Sequence, residues 1–239
     1  MRERIPLFAG LALLALAVAV GSVFIANGIR DRNRTEVISV TGSAKARIVS
    51  DYIVWDATLT SQGSSPGTAA AQLAGWTSRV RTFFSEQGVA AGELAVQPIS
   101  TEGPGGVDEN GNRITGYRLT RSFEIRSSRV GVIAAVAERS SALLARGVPL
   151  AADPPQYVYT KLPSLRPRLL AAATRDAQLR ARVLVAASGA KLGKLRGVDV
   201  GVFQVSSPNS TDVSDYGVYD TTTLRKDVTA VVNVTFALS

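Results

Sequence analysis

A long apolar run near the start of the chain constrains this sequence most. No charged residue occurs between Ile5 and Ile29, and residues 7–26 are almost all Leu, Ala, Val, Ile or Phe. At about 1.5 Å per residue, a helix of about 20 such residues crosses a hydrocarbon layer of about 30 Å. A helix buried in a protein core is the alternative, but it would carry a polar stripe that this run lacks. We therefore predict an N-terminal transmembrane helix, with residues 1–34 as anchor and flanks and residues 35–239 as the folded domain.

The fate and orientation of this segment are less constrained. Ala17-Val18-Ala19 has the small-x-small form of a cleavage site, yet residues 20–26 stay apolar beyond it. This pattern favours an uncleaved signal anchor over a cleaved signal peptide. Basic residues flank the run on both sides, at Arg2 and Arg4 and again from Arg30 to Arg34. The positive-inside rule therefore gives no preferred orientation.

After residue 36 the sequence alternates between strand-like and helix-like patterns. Ser50-Asp51 separates two apolar-alternating stretches and predicts a first hairpin or one long bent strand. Apolar residues at steps of three and four predict three helices, which begin at Thr68, after Ser128 as N-cap and after Ser164 as N-cap. A glycine follows each helix, a position that favours a left-handed backbone. The predicted strands are Val37–Val40, Ala44–Val49, Tyr52–Leu59, Leu94–Val96, Ile114–Ile125, Gln156–Thr160, Leu195–Val205 and Val228–Leu238.

These patterns predict an α+β fold in which helices cover antiparallel β-sheets. The large aromatic side chains Trp55, Trp76, Phe83 and Phe84 fall at core-facing spacings. We expect them to form the hydrophobic core. Polar loops are predicted at Glu102–Arg113 and at Ser206–Leu224.

The amino-acid composition excludes several kinds of chemistry. The chain contains no cysteine and no histidine. Disulfides, Cys/His zinc sites, Ser-His-Asp triads and imidazole acid–base catalysis are therefore all excluded. The formal net charge is +8, but the basic residues are scattered and no aromatic residues interleave with them, which argues against nucleic-acid binding. We predict that the protein is not an enzyme.

Several motifs resemble functional sites but lack what the chemistry requires. Gly189–Lys194 is too short for a phosphate-binding loop and follows a helix instead of a strand, and Ser188 with Lys191 spells S-x-x-K where a helix ends. Asp108–Asn112 lacks the spacing of a calcium loop and predicts a turn. The remaining candidates are the carboxylate pairs Asp51 with Asp56 and Glu102 with Asp108, and the loop residues Asp212, Asp215, Tyr216, Tyr219 and Asp220.

Neither carboxylate pair lies among apolar residues that would raise the pKa of one member above that of the other. For the loop residues, an ordinary exposed loop is a simpler interpretation than a binding site. We therefore predict no catalytic, cofactor-binding or metal-binding residues and no cofactor.

The order of several short motifs resembles the SIMPL domain family. Val40-Thr41-Gly42-Ser43-Ala44-Lys45-Ala46 followed by Asp51 is similar to the opening of that family. Gly88-Val89, Ile114-Thr115-Gly116-Tyr117 and Gly147-Val148 follow in the same order. The run from Ala173 to Gly193 is similar to the family's long helix, and Val228–Phe236 to its closing strand. The resemblance covers about residues 36–239.

The resemblance implies an exported bacterial protein with no established catalytic residues. The family includes periplasmic immunogenic proteins, has been linked to defence against oxidative stress and contains a large ring- or channel-like homo-oligomer. We therefore expect a non-enzymatic protein of the inner membrane, single-pass, whose domain faces the periplasm and whose partners are copies of itself and the membrane. Three alternatives stay open: a periplasmic protein released by signal cleavage, a binding module for an envelope ligand or partner that uses the two polar loops, and a hydrolase that uses only Ser, Lys, Tyr and carboxylate side chains.

Overall fold

A computed structural model of the chain describes Val18, residues 21–22, 36–105, 111, 115–210, 214 and 216–239. Val18, Gly21 and Ser22 are helical, but the rest of the predicted membrane segment lies outside the described residues. None of the helices in the described part combines the length and the apolar character needed to cross a bilayer.

From residue 36 onwards the described chain contains ten strands and four α-helices. The strands are β1 Val37–Val49, β2 Tyr52–Gly63, β3 Leu94–Val96, β4 Ser100–Glu102, β5 Tyr117–Ser127, β6 Leu150–Ala152, β7 Gln156–Val158, β8 Leu192–Val200, β9 Gln204–Ser206 and β10 Arg225–Leu238. The helices are α1 Pro66–Glu86, α2 Val130–Arg139, α3 Ser141–Ala145 and α4 Leu162–Ser188, and a short 3₁₀ helix spans Ala91–Glu93. The chain divides into two compact units, one formed by residues up to 44, 170–201 and 231–239, the other by residues 45–169 and 202–230.

The larger unit, residues 45–169 and 202–230, contains a six-stranded sheet in the order β3-β5-β2-β6, with β4 on β5 and β7 on β2. All of these strands pair antiparallel, and β2 and β5 run together from Ile53 opposite Ser127 to Gly63 opposite Tyr117. Alternate residues of β2 and β5 point inward and pack against α1, α2 and α3. The predicted α+β arrangement is confirmed in this unit.

Aromatic residues fill the core of this unit as the sequence predicts. The rings of Trp55 and Phe123 each meet Phe84 edge-on, at centroid distances of 5.6 and 6.1 Å. Phe83 is buried beside them and Trp76 is half-buried against the same cluster. Such edge-to-face contacts contribute stability beyond the area they bury.

The smaller unit packs helix α4 against a sheet in the order β1-β10-β8. Three alanines of α4, Ala173, Ala177 and Ala181, lie against Val40 of β1 and against β10. Their small side chains permit a close approach, and a Cβ on Gly42 would lie only 2.7 Å from the Cβ of Ala177. Glycine at position 42 is therefore required by packing, since its neighbours are backbone and methyl groups of α4.

The ends of the elements differ from the sequence prediction in several places. β1 is one continuous strand instead of two, and it joins a different sheet from β2, so Ser50-Asp51 does not close a hairpin. Helix α1 begins at Pro66, because Ser65 caps it by accepting a hydrogen bond from the Thr68 amide at 3.2 Å. Gly88, Gly147 and Gly189 have φ of +85°, +74° and +75°, which confirms the predicted left-handed helix ends.

The predicted second and third helices and the strand Leu195–Val205 also need correction. The helix expected after Ser128 is divided at Ser140 into α2 and α3, and Arg129 stands at its N-cap position. Ser164 does not cap α4, because the helix already begins at Leu162. The predicted strand is divided into β8 and β9 by residues 201–203.

Candidate assembly surface

Strand β8 forms an edge of its sheet and is long for an edge strand. It pairs antiparallel with β10 on one side, and no other strand of the described chain pairs with its opposite side. β8 has nine residues, whereas the outer strands β3, β4, β6 and β7 of the six-stranded sheet have three each. Short edge strands offer few unpaired backbone groups, so β8 is the edge best suited to accept another strand.

One face of β8 leaves apolar side chains uncovered. Leu195, Val198 and Val200 lie opposite Phe236, Val234 and Val232 of β10. These three β10 residues are buried beneath α4. Their β8 neighbours lie on the same face of the sheet yet remain exposed, Val198 at 46%. We call Leu195, Val198, Val200 and the open backbone edge of β8 the β8 surface.

Helix α4 also leaves part of its sheet-facing stripe uncovered near its end. Leu184 follows Ala177 by seven residues and Ala181 by three, so it lies on the same side of the helix as these alanines. Ala177 and Ala181 are fully buried, whereas Leu184 is 54% exposed. The apolar surface of this unit therefore includes the end of α4 as well as β8.

Glycines and a bulge determine how β8 lies on β10. A Cβ on Gly193 would lie 2.8 Å from the Ala237 carbonyl oxygen. A Cβ on Gly201 would lie 3.2 Å from the Val231 carbonyl oxygen. Between these glycines the pairing shifts, because Thr235 lies opposite Gly197 while Phe236 lies opposite Leu195. Arg196 is thus the extra residue of a β-bulge, which increases the local twist of the strand.

Strand β1, at the other edge of the same sheet, exposes polar residues instead. Ser39, Thr41 and Ser43 are exposed along its first half, and Lys45 and Arg47 along its second half. The two cations bind the buried carboxylate of Asp227 on β10, at 2.8 and 3.0 Å. Hydrogen bonds from Arg47 and Lys45 hold the pKa of Asp227 far below its usual range. Charged and hydroxyl side chains on an edge disfavour pairing with another strand.

Residues 188–194, which resemble a phosphate loop and an S-x-x-K motif, join helix α4 to strand β8. Gly189 ends helix α4, and the Lys191 amide donates to the Ser239 carbonyl oxygen at 2.8 Å where the next strand begins. Ser188 donates to the Val185 carbonyl oxygen at 2.9 Å, within its own helix. This segment therefore leads from a helix into a strand, the reverse of a phosphate-binding loop.

The carboxylates Asp51 and Asp56 have different environments, contrary to the prediction. Partial burial raises the pKa of Asp51, but hydrogen bonds from the Thr160 amide (2.7 Å) and hydroxyl (3.0 Å) outweigh it, and the net pKa is lowered. Burial and then the opposing Glu124 raise the pKa of Asp56. The two residues do not form a site, because Asp51 fixes the chain before α4 while Asp56 lies within β2.

Of the second carboxylate pair, the structure describes only Glu102, which lies 3.9 Å from the guanidinium of Arg118. Asp108 and the turn predicted at 108–112 lie outside the described residues, except for Gly111. In the part of the chain that is described, no cluster of three or more acidic residues has the geometry of a metal site.

The loop between β9 and β10 is organised by Asp220. Its carboxylate accepts hydrogen bonds from the amide and hydroxyl of Thr222, both at 2.7 Å, and from Thr223. Burial raises the pKa of Asp220, but these hydrogen bonds lower it to about 2. The fully buried Lys226 lies 3.5 Å from the same carboxylate and donates to the Thr223 carbonyl oxygen. Sequence patterns did not reveal this buried lysine, since a strand predicted to begin at Val228 leaves it in a loop.

Two tyrosines of this loop differ in exposure. Tyr219 accepts a hydrogen bond from the Tyr159 amide at 3.1 Å, whereas Tyr216 is 98% exposed. Asp212 and Asp215, which were predicted with them, lie outside the described residues. Tyr216 is thus available to a partner, while Asp220 and Tyr219 hold the loop in place.

A comparison with models of known protein families identifies one family. The sequence model of SIMPL, described as a protein of unknown function (DUF541), matches residues 38–236. The match includes all ten strands in whole or in large part and all four helices. No curated protein matches the chain.

Proposed function

The chain belongs to the SIMPL family, and we propose that it is a non-enzymatic, membrane-anchored cell-envelope protein that self-assembles into a large homo-oligomer, ring-shaped or channel-like. The β8 surface carries this proposal. It combines an open strand edge of nine residues with half-exposed apolar side chains on one face. Pairing between subunits both satisfies such an edge and covers such a face.

The energetics of the β8 surface favour its burial in an assembly. Each unpaired backbone group at the edge exchanges water for a protein partner when a strand docks, a net gain of about 1 kcal/mol per hydrogen bond. Covering the exposed half of Leu195, Val198 and Val200 contributes about 1 kcal/mol for each side chain. Because every subunit contributes the same side chains, the gain from apolar burial is doubled in a symmetric contact, whereas each hydrogen bond is shared by two subunits and counts once.

A pair of matched substitutions tests this proposal. Val198→Lys places a charge on the β8 surface, whereas Leu179→Lys places one at an exposed position of α4 outside that surface, where the leucine is 61% exposed. Light scattering on the full-length protein in detergent should show an assembly for the wild type and for Leu179→Lys. We expect a much smaller species for Val198→Lys. A wild-type monomer at micromolar concentration would contradict the proposed self-assembly.

The absence of histidine and cysteine supports a non-enzymatic role without cofactors. In this proposal the partners are copies of the same chain and the membrane, and nucleic acid is not a partner. Turnover of any substrate by the purified assembly would contradict it.

For localisation we propose a single-pass protein of the inner membrane whose domain faces the periplasm. The charge-free run from Ile5 to Ile29 supports the membrane span, and the orientation rests on the exported character of the family. A Tyr216→Cys variant tests the sidedness, because the chain has no other cysteine and position 216 is almost fully exposed. A membrane-impermeant maleimide should label it in cells whose outer membrane alone has been permeabilised. Labelling only after the inner membrane is disrupted would contradict this orientation, and a labelled, freely soluble protein would support the cleaved alternative.

The exposed Tyr216 also favours the second candidate function, a periplasmic binding module for an envelope ligand or partner. The loop that bears it is held by Asp220 and Tyr219, so the aromatic side chain is presented on an ordered base. At the other polar loop, a cavity of about 440 Å³ is lined by residues of β2 and β5, among them Gln62, Tyr117 and Arg118. Deleting residues 207–218 should abolish capture of the partner and leave the assembly intact. Loss of assembly in that variant would contradict separate binding and assembly surfaces.

A role in envelope or oxidative stress rests on the family alone. Deletion of the gene should lower survival under peroxide, and expression of the wild type should restore it. Restoration by Val198→Lys as well would separate the stress role from self-assembly.

A further inference from the structure

The hydrogen-bond pattern of β8 determines which backbone groups reach its open edge. The Gly201 amide donates to the Val231 carbonyl oxygen at 3.0 Å, in the same register that sets Val200 opposite Val232. Residues that hydrogen-bond to an antiparallel partner alternate along a strand. Gly201, Asp199 and Gly197 therefore face β10, and the N–H and C=O groups of Val198 and Val200 point to the open edge.

This alternation restricts how two β8 strands can pair. In an antiparallel pair, the backbone N–H and C=O groups of two directly opposed residues either both point toward the other strand or both point away from it. An axis at Asp199 would set Asp199 opposite its own copy, and like charges directly opposite each other are destabilising. An axis at Val198 sets Val198 opposite its copy and Gly197 opposite Asp199 of the second strand.

The charges on β8 favour the axis at Val198. Arg196 precedes Gly197 and, as the extra residue of the bulge, shares with it the position opposite Thr235. With the axis at Val198, each Arg196 lies one position along the strand from Gly197, the residue opposite Asp199 of the second strand. Because both residues of a bulge lie over the same partner position, the long side chain of Arg196 is within reach of that Asp199. Within the described chain, Arg196 and Asp199 form no ion pair with each other or with a third residue.

Pairing of β8 with β1 of a neighbouring subunit is the competing arrangement. It would bring Lys194 and Arg196 to an edge that already exposes Lys45 and Arg47. β1 contains no carboxylate, and the Asp227 that binds Lys45 and Arg47 is buried, whereas a second β8 strand offers an exposed Asp199 to each Arg196. Charge complementarity therefore favours a second copy of β8 as the occupant of this edge.

We infer that two subunits pair their β8 strands antiparallel across a two-fold axis at Val198, with Arg196 of each strand bound to Asp199 of the other. This inference rests on the proposed self-assembly. A two-fold contact of this kind uses the same surface on both subunits, so the complete assembly contains an even number of chains.

Single-cysteine variants of this cysteine-free chain test the register directly. Opposed residues have Cβ atoms about 5 Å apart, close to what a disulfide requires. In a two-fold dimer only the residue at the axis meets its own copy, so we expect oxidation to cross-link Val198→Cys at least about tenfold faster than Asp199→Cys or Val200→Cys. The full-length protein is oxidised in detergent with copper phenanthroline, and Leu179→Cys serves as the control that should not cross-link.

Charge reversal provides the second test. Arg196→Asp and Asp199→Arg should each weaken the assembly by about tenfold in dissociation constant, and the double variant should return to within about threefold of the wild type. Faster cross-linking at Asp199 than at Val198, or a double variant as weak as the single ones, would overturn the register. An assembled protein without any cross-link along β8 would overturn the β8 contact but leave the proposed self-assembly standing. A monomeric wild type would overturn both.

Discussion

Gly42 of β1 lies directly against the backbone of α4, because a Cβ at this position would be 2.7 Å from the Cβ of Ala177 and closer still to the Ala173 carbonyl oxygen. The strand and the helix therefore meet at backbone distance. No rotamer of a side chain relieves such an overlap, since the atoms concerned belong to the main chain and to a Cβ.

Gly42→Ala is expected to lower the free energy of unfolding by about 2 kcal/mol or more, as overpacking does in other cores. Urea denaturation followed by circular dichroism measures this change. Gly75→Ala is the matched control, because the new methyl group would meet nothing within 4 Å on the exposed face of α1. There we expect a gain of about 0.5–1 kcal/mol from helix propensity. Equal effects at the two positions would contradict the close approach of β1 and α4.

Asp227→Asn should destabilise the protein by about 2 kcal/mol, because the buried carboxylate then no longer balances Lys45 and Arg47. The loss is smaller than for a fully buried pair, since both cations are half exposed. Arg47→Met removes one exposed cation and leaves Lys45 in place, so we expect a smaller loss than for Asp227→Asn. Chemical denaturation of both variants at pH 7 compares them. If Arg47→Met lost more unfolding free energy than Asp227→Asn, Asp227 would not be the centre of this cluster.

Glu93 makes stability depend on acid pH. Hydrogen bonds from Arg129, from the Ser127 hydroxyl (2.6 Å) and from the Ala90 amide (2.9 Å) lower the pKa of Glu93 from 4.5 to about 2. A carboxyl with a lowered folded-state pKa stabilises the fold above its unfolded pKa, and this contribution is lost as pH falls through the folded value. The wild type should therefore lose stability between about pH 5 and pH 2.

Glu93→Gln removes the titrating group, so its unfolding free energy should fall less steeply over the same pH range. The difference between the two proteins should be largest at pH 7 and nearly absent at pH 2. Urea denaturation midpoints of the wild type and Glu93→Gln, measured from pH 7 to pH 2, test this difference. Parallel curves for wild type and Glu93→Gln would contradict the lowered pKa.

Patterns within a few residues predicted much of the fold. The glycines after the helices and the aromatic core at Trp55, Phe83 and Phe84 follow from local backbone preference and apolar spacing, and the structure confirms them. The Ser50-Asp51 turn could not be resolved in this way, because the same residues close a hairpin or lead into another sheet. Which of these occurs depends on long-range pairing with β10 and β5.

The β8 surface was harder to predict for a similar reason. Leu195, Val198 and Val200 have the composition of an ordinary strand, and only the strand order shows that β8 lies at an edge. Gly193 and Gly201, with the charges between them, were signals that this strand differs from a buried one. Lys226 gave no signal, because its burial results from the loop ordered by Asp220.

The mass of the full-length protein, measured by native mass spectrometry after gentle release from detergent, tests the central claim most directly. For the wild type we predict a single dominant species whose mass is a large, even multiple of the 25.1 kDa chain. For the Val198→Lys variant we predict a dominant species of much lower mass. A dominant species of 25.1 kDa for the wild type would contradict the account.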